Sequence, residues 1–135
     1  MTEAVAFPDS VALCVAFLKA QFASRGETAK VASKVPNPRP NRLVRVSYGG
    51  GVRADLGHDA ARVTFDSWDT DEVSAAALHR LTRAVMGSLT EGDVIGSDWV
   101  AQVKEVGNPG LYPDPDTNLP RFQFTAELLI EGTAI

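Results

Sequence analysis

Few residues in this chain have the type and spacing to do chemistry. The two histidines, His58 and His79, stand at no metal-ligand spacing from each other or from the single cysteine, Cys14. Cys14 sits in an apolar run that reads as a helix, where a thiol acts as a small buried hydrophobe and not as a nucleophile. Gly49, Gly50 and Gly51 could in principle cradle a phosphate with free backbone N–H groups. That reading needs a following Lys-Ser or Lys-Thr and a helix, and neither is there, so a flexible hairpin tip is expected. Asp114, Asp116 and Asn118 repeat the opening spacing of a calcium loop. Leu119 replaces its glycine and Thr125 its bidentate glutamate, so a turn-forming acidic tip is expected instead. No strained nucleophile turn marks a Ser-His-acid site. The expectation is no catalytic, metal or cofactor residue, hence no enzyme.

The elements that position these residues are easier to read. The organising stretch is Ala61 to Leu89, where a strand (Ala61, Val63 and Phe65 against Arg62, Thr64 and Asp66) runs into a helix. Asp69 or Thr70 is expected to cap that helix, with Glu72 complementing its positive end. Val73, Ala77, Leu81, Val85 and Leu89, widened by Ala76 and Ala84, are expected to face the sheet, with His79, Arg80 and Arg83 off that stripe. An earlier helix is expected from the Asp9-Ser10 cap to about Ser24, ended by Gly26, with Val11, Val15, Leu18 and Phe22 inward and Leu13 and Phe17 beside them.

Pro36, Pro38 and Pro40 make Glu27 to Asn41 a stiff extended connector, which could serve as a proline-rich ligand but more simply links a helix to a strand. Leu43 to Tyr48 then reads as a strand, and Val52 to Leu56 as its hairpin return. Trp99 to Val106, with Trp99, Ala101 and Val103 on one face, is expected to pair with the stretch carrying Phe122, Phe124, Ala126, Leu128 and Ile130. Their link, Gly107 to Pro120, holds four prolines together with Leu111 and Tyr112.

The 135 residues, 44% hydrophobic and 22% charged, fit a single domain over 1–135 with its own core. No apolar run reaches the roughly 20 residues of a membrane span. The MTEAVAFPDS start lacks a positive region, so no signal peptide and a cytoplasmic origin are expected. The net charge of -4 argues against general nucleic-acid binding. Its distribution is uneven: Lys30, Lys34, Arg39, Arg42, Arg45, Arg53 and Arg62 face only Asp55 and Asp59, whereas acids prevail after Thr64. Either the signs intermix in space, or the chain docks onto copies of itself by opposite faces.

The order helix, Pro-rich connector, hairpin, strand-helix and long hairpin, with the segments VPNPRPNRLVRVSYGG, ARVTFDSWDTDEVSAAALHRL and LYPDPDTNLPRFQFTAELLIEGTAI, resembles the tail terminator proteins of long, non-contractile-tailed bacteriophages, particularly those of actinobacteria. The resemblance implies an α+β fold, a mixed, mainly antiparallel sheet of about four to five strands flanked by two helices. It implies a ring, usually hexameric, at the tail-neck junction of the virion, assembled in the host cytoplasm. Such a ring caps the tail tube protein, receives the head-side connector or stopper protein, and lets DNA pass its channel without specific binding. The family has no catalytic residues to carry over. Another neck or tail component (stopper, connector or minor tail protein) and a small ligand-binding α+β domain are the alternatives. Arg39, Arg42 and Arg45 of the basic segment, and Leu111, Tyr112, Asp114 and Asp116 of the proline-rich link, are the candidate contacts with a neighbour.

Overall fold

A computed structural model describes residues 3–89, 93–95 and 98–135. Its elements are β1 (Val5–Ala6), α1 (Ser10–Ser24), β2 (Lys30–Ala32), β3 (Leu43–Arg53), β4 (His58–Trp68), α2 (Glu72–Gly87), β5 (Asp93–Ile95), β6 (Asp98–Leu111), β7 (Arg121–Glu131) and β8 (Thr133–Ala134). Six strands form one sheet in the order β2-β3-β4-β7-β6-β5, and β1 pairs with β8 in a separate ribbon. Only β2 and β3 run parallel; every other pair is antiparallel. The α+β class is as expected, and the main sheet has six strands where four to five were expected. The additions, β2 and β5, are three residues each, too short to show a period, and β2 lies inside the proline-rich connector.

β4 is the centre of the sheet, with β3 on one side and β7 on the other. The registers Val46↔Phe65 and Phe65↔Phe124 put these side chains on one face, where the two phenyl rings stack 4.7 Å apart. Val63, Ala126, Leu128 and Ile130 extend that face, and both helices pack on it. α1 forms where expected: the Asp9 carboxylate accepts the Val11 and Ala12 N–H groups, and Gly26 leaves the helix with φ 70. Cys14, Leu18 and Phe22 are buried beneath it. No described helix is long and apolar enough to cross a membrane.

Three expectations are corrected. The glycines do not form a hairpin tip, because β3 continues through them to Arg53 and the chain reverses at 54–57, so Val52 belongs to β3 and not to a return arm. The triplet makes a bulge instead: Tyr48 pairs with Val63 and Gly51 with Ala61, leaving one extra residue on β3. Gly51 has φ 107, and a Cβ there would collide with the Ala60 carbonyl oxygen.

The second correction concerns α2. Its N-cap is Asp71, whose carboxylate accepts the Ser74 N–H at 2.7 Å, and Asp69 is engaged by Arg42 instead. The buried row is Ala75, Leu78, Thr82, Val85 and Leu89, with His79 and Met86 beside it. Val73 is 79% exposed, Ala77 is exposed and Leu81 is only partly buried. A strict four-residue spacing advances about 40° per step around a helix, so it spirals off any flat face, whereas alternating steps of three and four stay on it.

The third correction shortens the last link. β6 runs on to Leu111 through a second irregularity between Val106 and Gly110, with Gly107 at φ 79, so the loop begins at Tyr112 and not at Gly107. An irregularity between Val100 and Gln102 brings Val100 and Val103 to the helix-packed face opposite Ile130 and Leu128. The facing of Trp99 and Ala101 lies outside the described side chains.

Candidate assembly surfaces

The sheet face opposite the helices carries the residues that alternate outward on β3, β4 and β7. At one end it holds a polar cluster built on Trp68. Trp68 closes β4 and pairs with Leu43, which puts its ring under the proline-rich connector. The Arg39 guanidinium from that connector lies 4.8 Å from the ring centroid, and Arg45 of β3 lies 5.5 Å from it. Arg39 Nε and Nη2, and Arg45 Nε, are buried with no hydrogen-bond acceptor; the ring face covers them, and Arg45 is anchored as well through its Nη2 on Asp66. The indole N–H donates to the Asp114 carboxylate at 3.2 Å.

Asp114 organises the loop that supplies it. Its carboxylate accepts the Asp116 N–H at 2.9 Å, its carbonyl accepts the Asn118 N–H at 2.8 Å, and Asn118 adopts φ 57. Burial pushes the Asp114 carboxyl up, but donors from Asp116, Thr117 and Trp68 outweigh it and hold the group below its ordinary value. Asp114, Asp116 and Asn118 thus shape a turn, as expected, and the loop is pinned to β4 instead of projecting freely. Among the described residues no group of three His, Cys, Asp or Glu could hold a metal ion.

Beside this cluster Asp66 is fully buried, accepting from Arg45 Nη2 and Gln123 Nε2, each at 2.8 Å. Arg42 serves a separate junction. It donates to both Glu27 oxygens at 2.7 and 3.0 Å, to Asp69 at 3.0 Å and to the Ser74 carbonyl at 3.0 Å, tying the connector to the start of α2. The bond to Arg42 is the main cause holding the Glu27 carboxyl below its usual range. Arg62 likewise meets Glu127 at 3.2 Å and Lys104 meets it at 3.6 Å. Three of the seven basic residues from Lys30 to Arg62, namely Arg42, Arg45 and Arg62, are thus met by acids from elsewhere in the chain.

Of the seven candidate contacts, Arg39, Arg45 and Asp114 come together at Trp68, with Leu111 exposed at the end of β6, Tyr112 exposed at the start of the loop and Asp116 exposed at its tip. Arg42 lies apart from them. The sequence reading missed Trp68 as their common anchor; a lone tryptophan at the polar end of a strand was the available signal.

Elsewhere the potentially reactive groups are packed away or paired. Cys14 is fully buried, and burial pushes its thiol up to about 12. His79 lies against Phe122 and Phe124, its Nδ1 buried without a partner. His58 Nδ1 is 2.9 Å from Asp55 on the turn after β3. Among the described residues no nucleophile hydrogen-bonds either ring.

No protein-family model and no curated protein matches the chain. Among solved structures, a chain described as the virion of the native gene transfer agent particle has a similar fold. The TM-score is 0.57 at 16% identity, covering 93% of this chain and 100% of that one. At that identity the likeness is one of fold.

Proposed function

We propose that this chain is a non-enzymatic structural protein of a phage-like virion, acting as a tail terminator. The observation that carries this reading is the fold likeness to a chain of a gene transfer agent virion, which spans nearly all of one chain and all of the other. The terminator-like order of elements in the sequence narrows it to the tail-neck junction. In this reading copies of the chain close into a ring, hexameric in the family it resembles, that caps the tail tube protein and receives the connector or stopper protein. Assembly takes place in the host cytoplasm. DNA passes the channel without specific binding, and the net charge of -4 disfavours retention of phosphates.

In this reading Leu111, Tyr112 and Asp116, which are exposed, touch a neighbour directly. Arg39, Arg42, Arg45 and Asp114 act by fixing the connector and loop that present them. Light scattering on the purified chain should give a ring mass several times that of the 14.4 kDa monomer. Micrographs of particles made without the protein should show tails of irregular length. Tails of normal length that merely fail to join heads would refute the terminator role and favour a stopper.

A further inference from the structure

Two unlike surfaces of the chain carry apolar side chains ringed by charges of opposite sign. The first is a groove of about 650 Å³ between α1 and the edge of the sheet, floored by Val11, Val15 and Val46 and rimmed by Lys19 and Lys34. It exists because β2 ends at Ala32 and leaves β3 uncovered beyond Arg45, while the small side chains of Ala12 and Ala16 on α1 leave room beside Val11 and Val15. Neither lysine forms an ion pair among the described residues. The lining acid, Asp9, is already engaged, capping α1 and accepting the Tyr48 hydroxyl at 2.7 Å.

The second surface is a knob at the start of α2. Val73 stands there 79% exposed beside Glu72, and Leu111 lines a shallow depression together with Glu72. Asp116 is exposed on the adjoining loop, and neither Glu72 nor Asp116 forms an ion pair among the described residues. An apolar point with free acids around it is the counterpart of an apolar groove with free lysines around it.

We infer that the Val73 knob of one copy seats in the lysine-rimmed groove of a second copy, with Glu72 and Asp116 facing Lys19 and Lys34. This rests on the ring reading above and names the surfaces that would form it. Knob against knob would set acids against acids, and groove against groove lysines against lysines, so the charges select the head-to-tail contact. A contact between two different patches propagates from copy to copy until it closes, which is the geometry of a ring. Burial of Val73 supplies attraction, and the rim charges supply register and encounter rate.

Charge reversal on the full chain tests the pairing. Lys19→Glu with Lys34→Glu, and separately Glu72→Lys with Asp116→Lys, should each weaken self-association by about tenfold or more, two rim pairs being lost and replaced by repulsion. All four changes in one chain should restore the parent's mass in light scattering. Val73→Asp, at a position exposed in the single copy, should dissolve the assembly while leaving the thermal melt near that of the parent. A parent ring that both reversals and Val73→Asp leave unchanged overturns this contact while the ring reading stands. Reversals that dissociate the ring without rescue by the fourfold variant overturn the pairing as well. A parent that stays monomeric at all concentrations refutes both the contact and the self-assembling ring.

Discussion

Replacing Leu78 by alanine tests which face of α2 carries the fold. Leu78 is fully buried between α2 and the sheet, whereas Leu81 is partly buried and Val73 is largely exposed. Truncating a buried leucine loses its transfer free energy and leaves a cavity, together about 3 to 5 kcal/mol where the surroundings cannot collapse. Leu81→Ala should cost about 1 kcal/mol, and Val73→Ala should fall within about 0.5 kcal/mol of the parent. Against a total stability of about 5 to 15 kcal/mol, the first change removes a large fraction and the last almost nothing. In urea titrations at 25 °C, with a slope of about 1.5 kcal/mol/M, Leu78→Ala should lower the midpoint by about 2 M or more at unchanged slope. Even Leu81→Asp should remain foldable, since its side chain can reach water at the helix margin. Equal costs at positions 73, 78 and 81, or a larger cost at 73 than at 78, would refute this orientation of α2.

Gly51→Ala should destabilise the protein by about 1 to 3 kcal/mol in the same titration, because φ 107 is strained for alanine and its Cβ meets the Ala60 carbonyl. Asp66→Ala should cost about 2 to 4 kcal/mol by removing the acceptor of Arg45 and Gln123, and a thermal melt within 2 °C of the parent would contradict the role given to this carboxylate. His79 should make stability fall on acidification: burial, aided by Arg83 and Arg80 and opposed by Glu105, holds its pKa below the ordinary 6.5. The unfolded chain then takes up a proton before the folded one does, so its contribution is constant well above 6.5 and is lost as pH drops through that value. The difference in urea midpoint between pH 7.5 and pH 5.5 should shrink in His79→Phe.

The fold was legible where one physical signal ran long enough to average out exceptions. Alternation through Arg121–Glu131, interrupted at Leu129, made β7 and its inward face legible, and the Asp9 cap with Gly26 did the same for both ends of α1. Elements that depend on partners far along the chain were not legible. β2 owes its existence to backbone bonding with β3, and three residues beside prolines carry no period of their own. The glycine triplet was misplaced because a hairpin tip and a β-bulge both need positive φ; only the register of β4 distinguishes them.

The surfaces were less legible than the fold, for an electrostatic reason. Arg42 meets its acids 15 and 27 positions away, Arg45 meets Asp66 21 away, and Arg62 meets Glu127 65 away. A run of basic residues therefore says little about the potential of the folded surface, since each charge is judged by what the topology sets opposite it. What remains for a partner comes from the charges outside those pairs, among them Lys19 and Lys34 on one side and Glu72 and Asp116 on another. Of these four, Lys19 and Glu72 lie outside the charged stretches that stand out in the sequence. Val73 makes the same point from the apolar side, since a stripe read from the sequence assigns it to the core and the helix phase turns it outward. In the contact proposed above, that exposed side chain supplies the apolar part and the acids beside it set the register.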